Sequence, residues 1–468
     1  MHACAPCRVA GHGGPGVRRV VIVGGGIAGL AIAAELRRRS PSAAVTVLEA
    51  SPRPGGSIRS TEESGFLYEW GPTGFLDNAP DTLDLARQAG LGHRLLPANA
   101  EAARRFVVRG QRLRELPHGP LGFFASSLLS AKGRLRVLRE PFVAAKRDGV
   151  DESVLSFATR RIGKEAAEVL VDAMVTGIWA GDSRRLSVVS AFPKLVALER
   201  EHGSLVRGML ARKKGAGGPA GPSGTLTSFP EGLEELPTAI AASLGDSLRL
   251  SARVTGIEHA TGAWRVAIEP GSVIEADDVV VAIPSNGAAS LLADLNRALS
   301  ERLAAIPSAP VAVVHLGFAA ADAGEKLPGF GALAPRGETD SLLGVLVPSN
   351  IFPGRAPVGS LLATAMLGGA RDPAIVEKND DAIVAKALAE IGAISGLRAQ
   401  PTFVRVIRHM RAIPQYNLGH AERLAAIDAD LRRHPRLYLA GNSYRGIAIN
   451  ACIADARAVA ATLAIVDA

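Results

Sequence analysis

A glycine-rich turn near the start of the chain constrains the fold more than any other feature. Gly24, Gly26 and Gly29 follow a β-branched run, Val20–Val23, and precede an Ala- and Leu-rich stretch, Leu30–Arg39. Gly24 permits a tight turn, Gly26 lets the backbone approach a pyrophosphate, and Gly29 lets helix and strand pack closely. The order of strand, turn and helix predicts a dinucleotide-binding βαβ unit, in which the helix N-terminus offers N–H groups to phosphate.

An acid and a second glycine loop narrow the choice of dinucleotide. Ala44–Leu48 is predicted to be the second strand, and Glu49 follows it. A carboxylate at this position accepts hydrogen bonds from ribose hydroxyls and repels a 2′-phosphate, which disfavours NADP. Gly55-Gly56 gives a second close approach of backbone to the phosphates. The pairing favours FAD over NAD, because FAD lies extended across both loops.

Length, composition and charge bound the other possibilities. The chain has 468 residues, 47% hydrophobic and 21% charged, which predicts two to four globular domains or lobes. Residues 101–150 hold eleven Lys and Arg against four acids, a local charge of +7 within a net charge of +8. Such a patch suits nucleic acid, an anionic membrane or an acidic substrate. The aromatic content of 4% and the lack of a nucleic-acid motif disfavour the first. Three cysteines are too few for a disulfide framework.

The pattern along the chain predicts an α/β (α+β) multi-domain protein. Helical spacing of apolar residues covers 81–92, 131–147 and 151–175, and a Gly/Pro-rich stretch at 213–224 predicts a loop. Helices are also predicted at 380–391 and Ile447–Ile465. The further predicted strands are Leu248–Ile257, Trp264–Ile268, Val279–Ile283, Val311–Phe318, Leu342–Val347, Leu361–Leu367 and Pro435–Ala440.

From about Val20 to about Ala460 the chain resembles the protoporphyrinogen oxidase family, the oxygen-dependent FAD enzymes of haem synthesis. The glycine turn is shared with amine oxidases and phytoene desaturases, whereas the Gly177–Asp182 and Ile413–His420 blocks are more specific. The motifs that carry the resemblance are Val23–Leu30, Gly55–Ser60, Glu69–Pro72, Thr176–Asp182, Ser187–Pro193, Ile413–Tyr416 and Gly441–Tyr444.

The resemblance implies a set of cofactor contacts spread over the chain. The FAD phosphates are expected at the first turn, the adenosine at the second strand and at the start of a later strand, and the flavin at two further turns. The implied residues are Gly24, Gly25, Gly26, Ile27, Ala28, Gly29, Glu49, Ala50, Gly56, Ser57, Gly71, Pro72, Thr73, Gly74, Val254, Asn442, Ile447, Ala448 and Ile449. Position 57 is Ser where some members of the family carry Trp.

The resemblance also implies a substrate site for a tetrapyrrole. An arginine would grip a propionate, apolar residues would sandwich the macrocycle, and a glycine backbone would face the pyrrole nitrogens. These are Arg105, Gly177, Ile178, Phe330, Leu333, Leu346 and Met366. Without the resemblance, Arg105 would be interpreted as an exposed arginine of a basic stretch. The four apolar residues from Phe330 to Met366 would be interpreted as ordinary core, and only their family position favours the substrate site.

The implied chemistry needs no protein nucleophile and no metal. A hydride passes from a methylene bridge to the flavin, and a proton leaves a pyrrole nitrogen. The resemblance implies three such cycles, with molecular oxygen reduced to hydrogen peroxide each time and protoporphyrin IX as product.

The resemblance further implies a division into domains. It predicts a flexible N-terminal tail (1–17) and a Rossmann-type FAD-binding domain in three parts (18–85, 225–290 and 403–468). It also predicts a helical membrane-associated lobe (86–210), a flexible loop (211–224) and a mixed-sheet substrate-binding domain (291–402). The apolar segment Leu121–Leu129, between basic clusters, suits an interfacial anchor on anionic lipid, or equally packing inside the lobe. We expect a cytoplasmic bacterial protein that binds peripherally to the cell membrane. A ferrochelatase-like neighbour and a second copy of the chain, in a homodimer, are compatible partners. Nucleic acid is not expected as a partner.

Several alternatives stay open. The same fold could oxidise coproporphyrinogen III to coproporphyrin III, whose four propionates need a more charged pocket. A flavin amine oxidase or carotenoid desaturase is more distant, because an amine oxidase usually shows a lysine near the flavin and lysine is sparse in this chain. A non-catalytic, membrane-bound flavoprotein is the remaining alternative.

Overall fold

The computed structural model describes residues 16–117, 122–123, 126–214, 224–260 and 262–465. The tail expected over 1–17 lies outside the described residues as far as residue 15.

A five-stranded, fully parallel sheet forms the centre of the first domain. Its strands, in spatial order, are Leu248–Arg249, Ala44–Leu48, Arg19–Val23, Asp278–Val281 and Leu437–Leu439. Alternate side chains of the central strand point to opposite faces, as strand geometry requires. Val20 and Ile22 pack with helix Ile27–Arg39 and helix Ile449–Ile465, whereas Val21 and Val23 pack with a second, antiparallel sheet. That sheet consists of Val254–Ala260, Ala263–Ile268 and Ser272–Ala276.

A seven-stranded mixed sheet forms the second domain. In spatial order it contains Phe403–Pro414, Ser308–Ala319, Ser360–Gly368, Leu342–Leu346, Gly331–Leu333, Arg105–Val108 and Leu113–Glu115. One face packs on helix Asp380–Ser395, and the other faces the hairpin Ser60–Glu63/Phe66–Glu69. The expected limits 291–402 for this domain need correction. Backbone pairing adds two strands from the segment assigned to the helical lobe and one from the segment assigned to FAD binding.

The helical lobe is more broken than the sequence pattern predicts. The helix predicted over 131–147 ends at Leu138, because a 3₁₀ turn follows at Glu140–Phe142 with Pro141 in its first turn. The helix predicted over 151–175 is interrupted at Gly163, whose φ is +89°. The lobe comprises Ala131–Leu138, Val154–Ile162, Lys164–Ala166, a π-helical turn Ala167–Val171, Asp172–Trp179, Val188–Ala191, Pro193–His202 and Leu205–Lys214.

The structure corrects one further expectation about the lobe and, for two residues, distinguishes between two alternatives. The loop expected over 211–224 is helical as far as Lys214, and residues 215–223 lie outside the described part. Within the segment 121–129, Leu128 and Leu129 are buried against Val107 and Val169, so these two leucines belong to the lobe interior and not to a membrane anchor. Residues 121, 124 and 125 lie outside the described residues.

Short elements connect these layers. The helix predicted over 81–92 is Pro80–Gln88 followed by a 3₁₀ turn, and the helix predicted from Ile447 begins at Ile449. A small sheet contains Phe75–Leu76, Leu226–Ser228 and Leu96–Pro97. The remaining helical segments are Gly92–Arg94, Ala100–Ala103, Glu235–Leu244, Gly245–Ser247, Ser285–Leu291, Arg297–Ala304, Ala320–Ala323, Pro348–Ile351, Pro373–Glu377 and His420–Leu431. No helix in the described ranges is long and apolar enough to cross a bilayer.

Candidate functional site

The first glycine turn leaves a space that suits a phosphate. Gly24 has φ +109° and donates its N–H to Leu48 O at 2.8 Å, which fixes the turn on the edge of the sheet. A Cβ on Gly29 would lie 2.0 Å from Gly24 O, so only glycine lets the helix approach this closely. A Cβ on Gly26 would meet nothing within 4 Å. No side chain caps the helix that starts at Ile27, and its first turn holds no acid, so its N-terminus can receive an anion.

The second glycine loop touches the first. Gly55 N donates to Gly25 O at 2.8 Å, and a Cβ on Gly56 would lie 3.3 Å from Gly26 Cα. A ligand that lies across one loop therefore reaches the other, as the extended FAD requires.

Glu49 and the start of strand Val254–Ala260 lie together beside these loops. The Glu49 carboxylate accepts from Gly25 N at 2.7 Å and from Ser51 N at 2.8 Å. A carboxylate has about four acceptor sites, so two remain for ribose hydroxyls. Ala252 N donates to Glu49 O at 2.8 Å, which places Val254 two residues from the same point. Ala50 follows Glu49 at the strand end.

The turn Gly71–Gly74 is pressed between two backbones. A Cβ on Gly71 would lie 2.5 Å from Ser57 O, and a Cβ on Gly74 would lie 2.6 Å from Thr227 O. Pro72 and Thr73 complete the turn. Glu69, just before it, is buried and accepts from Ser60 Oγ at 2.7 Å and Leu233 N at 2.9 Å. Burial raises the pKa of Glu69 to about 7.

The C-terminal turn, Gly441–Gly446, is stabilised by hydrogen bonds to the hydroxyl group of Tyr416. Gly441 and Gly446 have φ values of +114° and +132°, and a Cβ on Gly446 would lie 2.5 Å from Ala451 Cβ. Tyr416 Oη donates to Asn442 O at 2.7 Å and accepts from Gly446 N at 2.8 Å. Ile447 packs in the cluster that contains Trp179 and Tyr416. Ala448 O accepts the first bond of the helix that begins at Ile449.

Most of the substrate residues implied by the resemblance lie on or beside four adjacent strands of the seven-stranded sheet. These strands are Arg105–Val108, Gly331–Leu333, Leu342–Leu346 and Ser360–Gly368. Arg105 lies opposite Gly331, which lies opposite Leu346 on the next strand. The Arg105 guanidinium is 5.0 Å from the centre of the Phe330 ring. It is exposed, and among the described residues it has neither an ion pair nor a hydrogen bond from its side chain.

The helix Asp172–Trp179 packs against two of these strands, Gly331–Leu333 and Leu342–Leu346. A Cβ on Gly177 would lie 2.6 Å from Leu333 Cδ2, so the glycine lets helix and sheet meet. Ile178, the next residue, is 45% exposed.

A small cavity joins the two halves of the site. It measures about 30 Å³ and is lined by Gly71 and Thr73 on the cofactor side and by Leu346 and Met366 on the sheet side. His315 also lines it, with Nδ1 2.9 Å from Thr364 Oγ1. Burial lowers the pKa of His315 to about 3, so the imidazole is neutral. The sequence pattern did not single out His315, because an isolated histidine in an apolar strand carries no motif.

Two touching glycine loops on a parallel sheet, an acid with free acceptor sites beside them and a separate mixed sheet are the features of a FAD-dependent oxidoreductase. Residues 27–464 match the model of the family described as "Flavin containing amine oxidoreductase", and the chain belongs to this family.

Relatives narrow the similarity within the family. The chain is 30% identical over 460 residues to the coproporphyrinogen III oxidase of Bacillus subtilis. The alignment covers 95% of this chain and 97% of the relative. It is 35% identical over 481 residues to the protoporphyrinogen oxidase of Homo sapiens, covering 95% and 98%. A crystal structure from Exiguobacterium sp. 255-15, described as a candidate protoporphyrinogen oxidase, superposes with TM-score 0.83 at 26% identity, covering 97% of this chain and 100% of the other. A putrescine oxidase, at TM-score 0.70 and 16% identity, shares the fold alone.

Proposed function

We propose that this flavoenzyme oxidises protoporphyrinogen IX to protoporphyrin IX in haem biosynthesis, with molecular oxygen as the electron acceptor and hydrogen peroxide as the second product. The relatives named for protoporphyrinogen and coproporphyrinogen III oxidation support the reaction class. The observation that carries the proposal is Arg105, a cation without an acid partner among the described residues, beside Phe330 and next to the apolar strand Gly331–Leu333. An apolar macrocycle with carboxylates on its rim is complementary to such a site.

Three other arginines of this region differ from Arg105 in having an acid partner. Arg104 pairs with Glu115 at 2.7 Å, Arg109 with Glu165 at 3.4 Å, and Arg336 with Asp182 at 3.3 Å. These neighbouring arginines are already neutralised by the protein's own acids. In our proposal Arg105, which has no acid partner among the described residues, holds one propionate of protoporphyrinogen IX.

The side chains bind and orient, and they supply no nucleophile. Bound FAD supplies the acceptor for a hydride. In our proposal Arg105 holds a propionate, while Phe330, Leu333, Leu346 and Met366 cover the macrocycle. The backbone of Gly177 then faces the pyrrole nitrogens, with Ile178 beside it. Removal of six hydrogens in three rounds consumes three O₂ and releases three H₂O₂.

We also propose that the lobe docks on an anionic membrane, through residues other than the buried Leu128 and Leu129. Leu138 and Phe142 are 51% and 83% exposed on consecutive helical turns. Glu140, between them, accepts from Leu205 N at 2.8 Å, so helix Leu205–Lys214 starts beside this turn and adds the exposed Leu210. Lys132, Arg139 and Arg207 are exposed on or next to the same helices as these apolar side chains. This combination suits interfacial binding.

A parallel assay tests the proposed reaction. Purified protein receives protoporphyrinogen IX or coproporphyrinogen III in air, and porphyrin fluorescence and peroxide are followed together. We expect a kcat/KM at least tenfold higher for protoporphyrinogen IX. A preference for coproporphyrinogen III would assign the enzyme to the oxidation of coproporphyrinogen III. If a yellow protein turns over neither substrate, the result would favour a non-catalytic flavoprotein.

A further inference from the structure

Two adjacent residues, Gln415 and Tyr416, contact both halves of the site. They directly follow strand Phe403–Pro414 and are 5% and 1% exposed. Gln415 Nε2 donates to Trp179 O at 2.8 Å, at the end of the helix that carries Gly177. Tyr416 Oη bonds Asn442 O and Gly446 N, across the turn at the flavin end. One dipeptide thus joins the helix that faces the substrate to the turn that faces the cofactor.

The surroundings of the dipeptide hold both side chains in place. The Tyr416 ring stacks on His420, with centroids 4.0 Å apart, and meets Trp179 edge-on at 4.9 Å. Its hydroxyl uses both its donor and an acceptor position. A Cβ on Gly181 would lie 2.6 Å from Gln415 Oε1, so the amide also fills the space beside the helix end. Neither side chain can change rotamer without breaking hydrogen bonds in a buried region, which is costly.

We infer that Gln415 and Tyr416 are positioning residues that set the distance between the Gly177–Ile178 backbone and the Asn442–Gly446 turn, and therefore the distance over which hydride passes to FAD. The inference rests on the proposed function for the identity of the substrate. Its physical basis is that a displacement of about 1 Å at a reacting pair can cost roughly 100-fold in rate. The Ile413–Tyr416 motif, to which the sequence pattern assigns no chemistry, thereby acquires a role.

Tyr416→Phe tests the cofactor side of this bridge. The variant keeps the ring and leaves Asn442 O and Gly446 N without their partner. We expect it to retain FAD, to bind porphyrinogen with a Kd within threefold of the parent, and to reduce its flavin at least tenfold more slowly in anaerobic mixing. The circular dichroism of the bound flavin should change as well, because the turn beside it shifts.

Tyr444→Phe is the matched control. Tyr444 lies in the same turn and is equally buried, yet its hydroxyl has no hydrogen-bond partner within the described ranges. Removal of this hydroxyl should leave both the reduction rate and the flavin spectrum as in the parent.

Gln415→Met tests the substrate side, since it keeps the side-chain length and removes the donor to Trp179 O. We expect a porphyrinogen Kd at least threefold higher, slower flavin reduction and an unchanged flavin spectrum.

The outcomes separate this inference from the proposed function. The inference would be overturned if Tyr416→Phe had the same flavin reduction rate and flavin spectrum as Tyr444→Phe. It would also be overturned if Tyr416→Phe lowered the Tm while its reduction rate per bound flavin stayed parental. If Tyr416→Phe does not fold, a parental Kd and rate in Gln415→Met would overturn it. If neither porphyrinogen reduces the parent flavin, the proposed function fails, and the flavin spectra of the two tyrosine variants still decide the inference.

Discussion

Gly26→Ala should separate the folding of the nucleotide domain from its retention of FAD. Gly26 has φ −72° and ψ 174°, an extended conformation open to alanine, and the added Cβ meets nothing within 4 Å. Alanine at a helix N-cap costs about 1 kcal/mol relative to a good cap, and lower chain entropy in the unfolded state returns about 0.4–1 kcal/mol. The free energy of unfolding of the apoprotein should therefore change by less than about 1 kcal/mol.

The effect on FAD should be much larger. The methyl group occupies the space into which the pyrophosphate must fit, and so separates the phosphate oxygens from the N–H groups of the first helical turn. Hydrogen bonds to a charged group are worth about 1.5–3 kcal/mol each. Loss of two of them is about 3–6 kcal/mol, or an affinity roughly 10²- to 10⁴-fold weaker.

Two further variants bracket this result. Gly29→Ala places a Cβ 2.0 Å from Gly24 O and should destabilise the domain itself. Gly256→Ala places a Cβ 3.8 Å from Ala267 Cβ and should be parental in both respects. Flavin absorbance after gel filtration, titration of apoprotein with FAD and urea unfolding give the needed values. A Gly26→Ala protein with parental FAD affinity would refute the assignment of the first turn to the pyrophosphate.

The remaining predictions concern four other places. Arg105→Ala should raise KM for porphyrinogen at least tenfold with FAD retained, and steady-state kinetics beside flavin absorbance measure both; loss of flavin would give Arg105 a structural role. Because burial raises the pKa of Glu69 from 4.5 to about 7, the folded state holds its proton more tightly than the unfolded state. The free energy of unfolding should then fall by about 3 kcal/mol as pH rises through this window, and urea melts of Glu69→Gln should lack that fall. Glu140→Ala leaves the fully buried Arg161 with Glu199 as its one remaining carboxylate among the described residues and removes the acceptor of Ser204 Oγ. It should cost about 2–4 kcal/mol in urea unfolding; a cost under about 1 kcal/mol would contradict it. Phe142→Glu should reduce co-sedimentation with vesicles containing phosphatidylglycerol without changing turnover, and unchanged sedimentation would remove this surface from the proposal.

The nucleotide-binding region follows from local signals in the sequence. The strand Arg19–Val23, the glycine turn and the helix up to Arg39 are contiguous, and each element matches its own pattern. The structure confirms the predicted βαβ unit for that reason. The breaks of the lobe helices were missed, since apolar spacing continues across Gly163 and does not reveal its φ of +89°.

The substrate side depends on contacts that no local pattern encodes. Strand Arg105–Val108 pairs with Gly331–Leu333 from more than 200 residues away in the sequence, and short strands in a basic stretch give little periodicity. Only the family resemblance brought Arg105 and Phe330 into one site. The bonds from Tyr416 to Asn442 and Gly446 are equally non-local. These hydrogen bonds could not be predicted from the sequence, because they form only when the fold brings the strand end and the C-terminal turn together.

The most direct measurement mixes the purified yellow protein with protoporphyrinogen IX in the absence of oxygen and follows flavin absorbance and porphyrin fluorescence together. We expect the flavin band to bleach and, with substrate limiting, three flavins to be reduced for each protoporphyrin IX formed. A flavin that stays oxidised while the substrate remains intact would contradict hydride transfer from this porphyrinogen, and with it the proposed function.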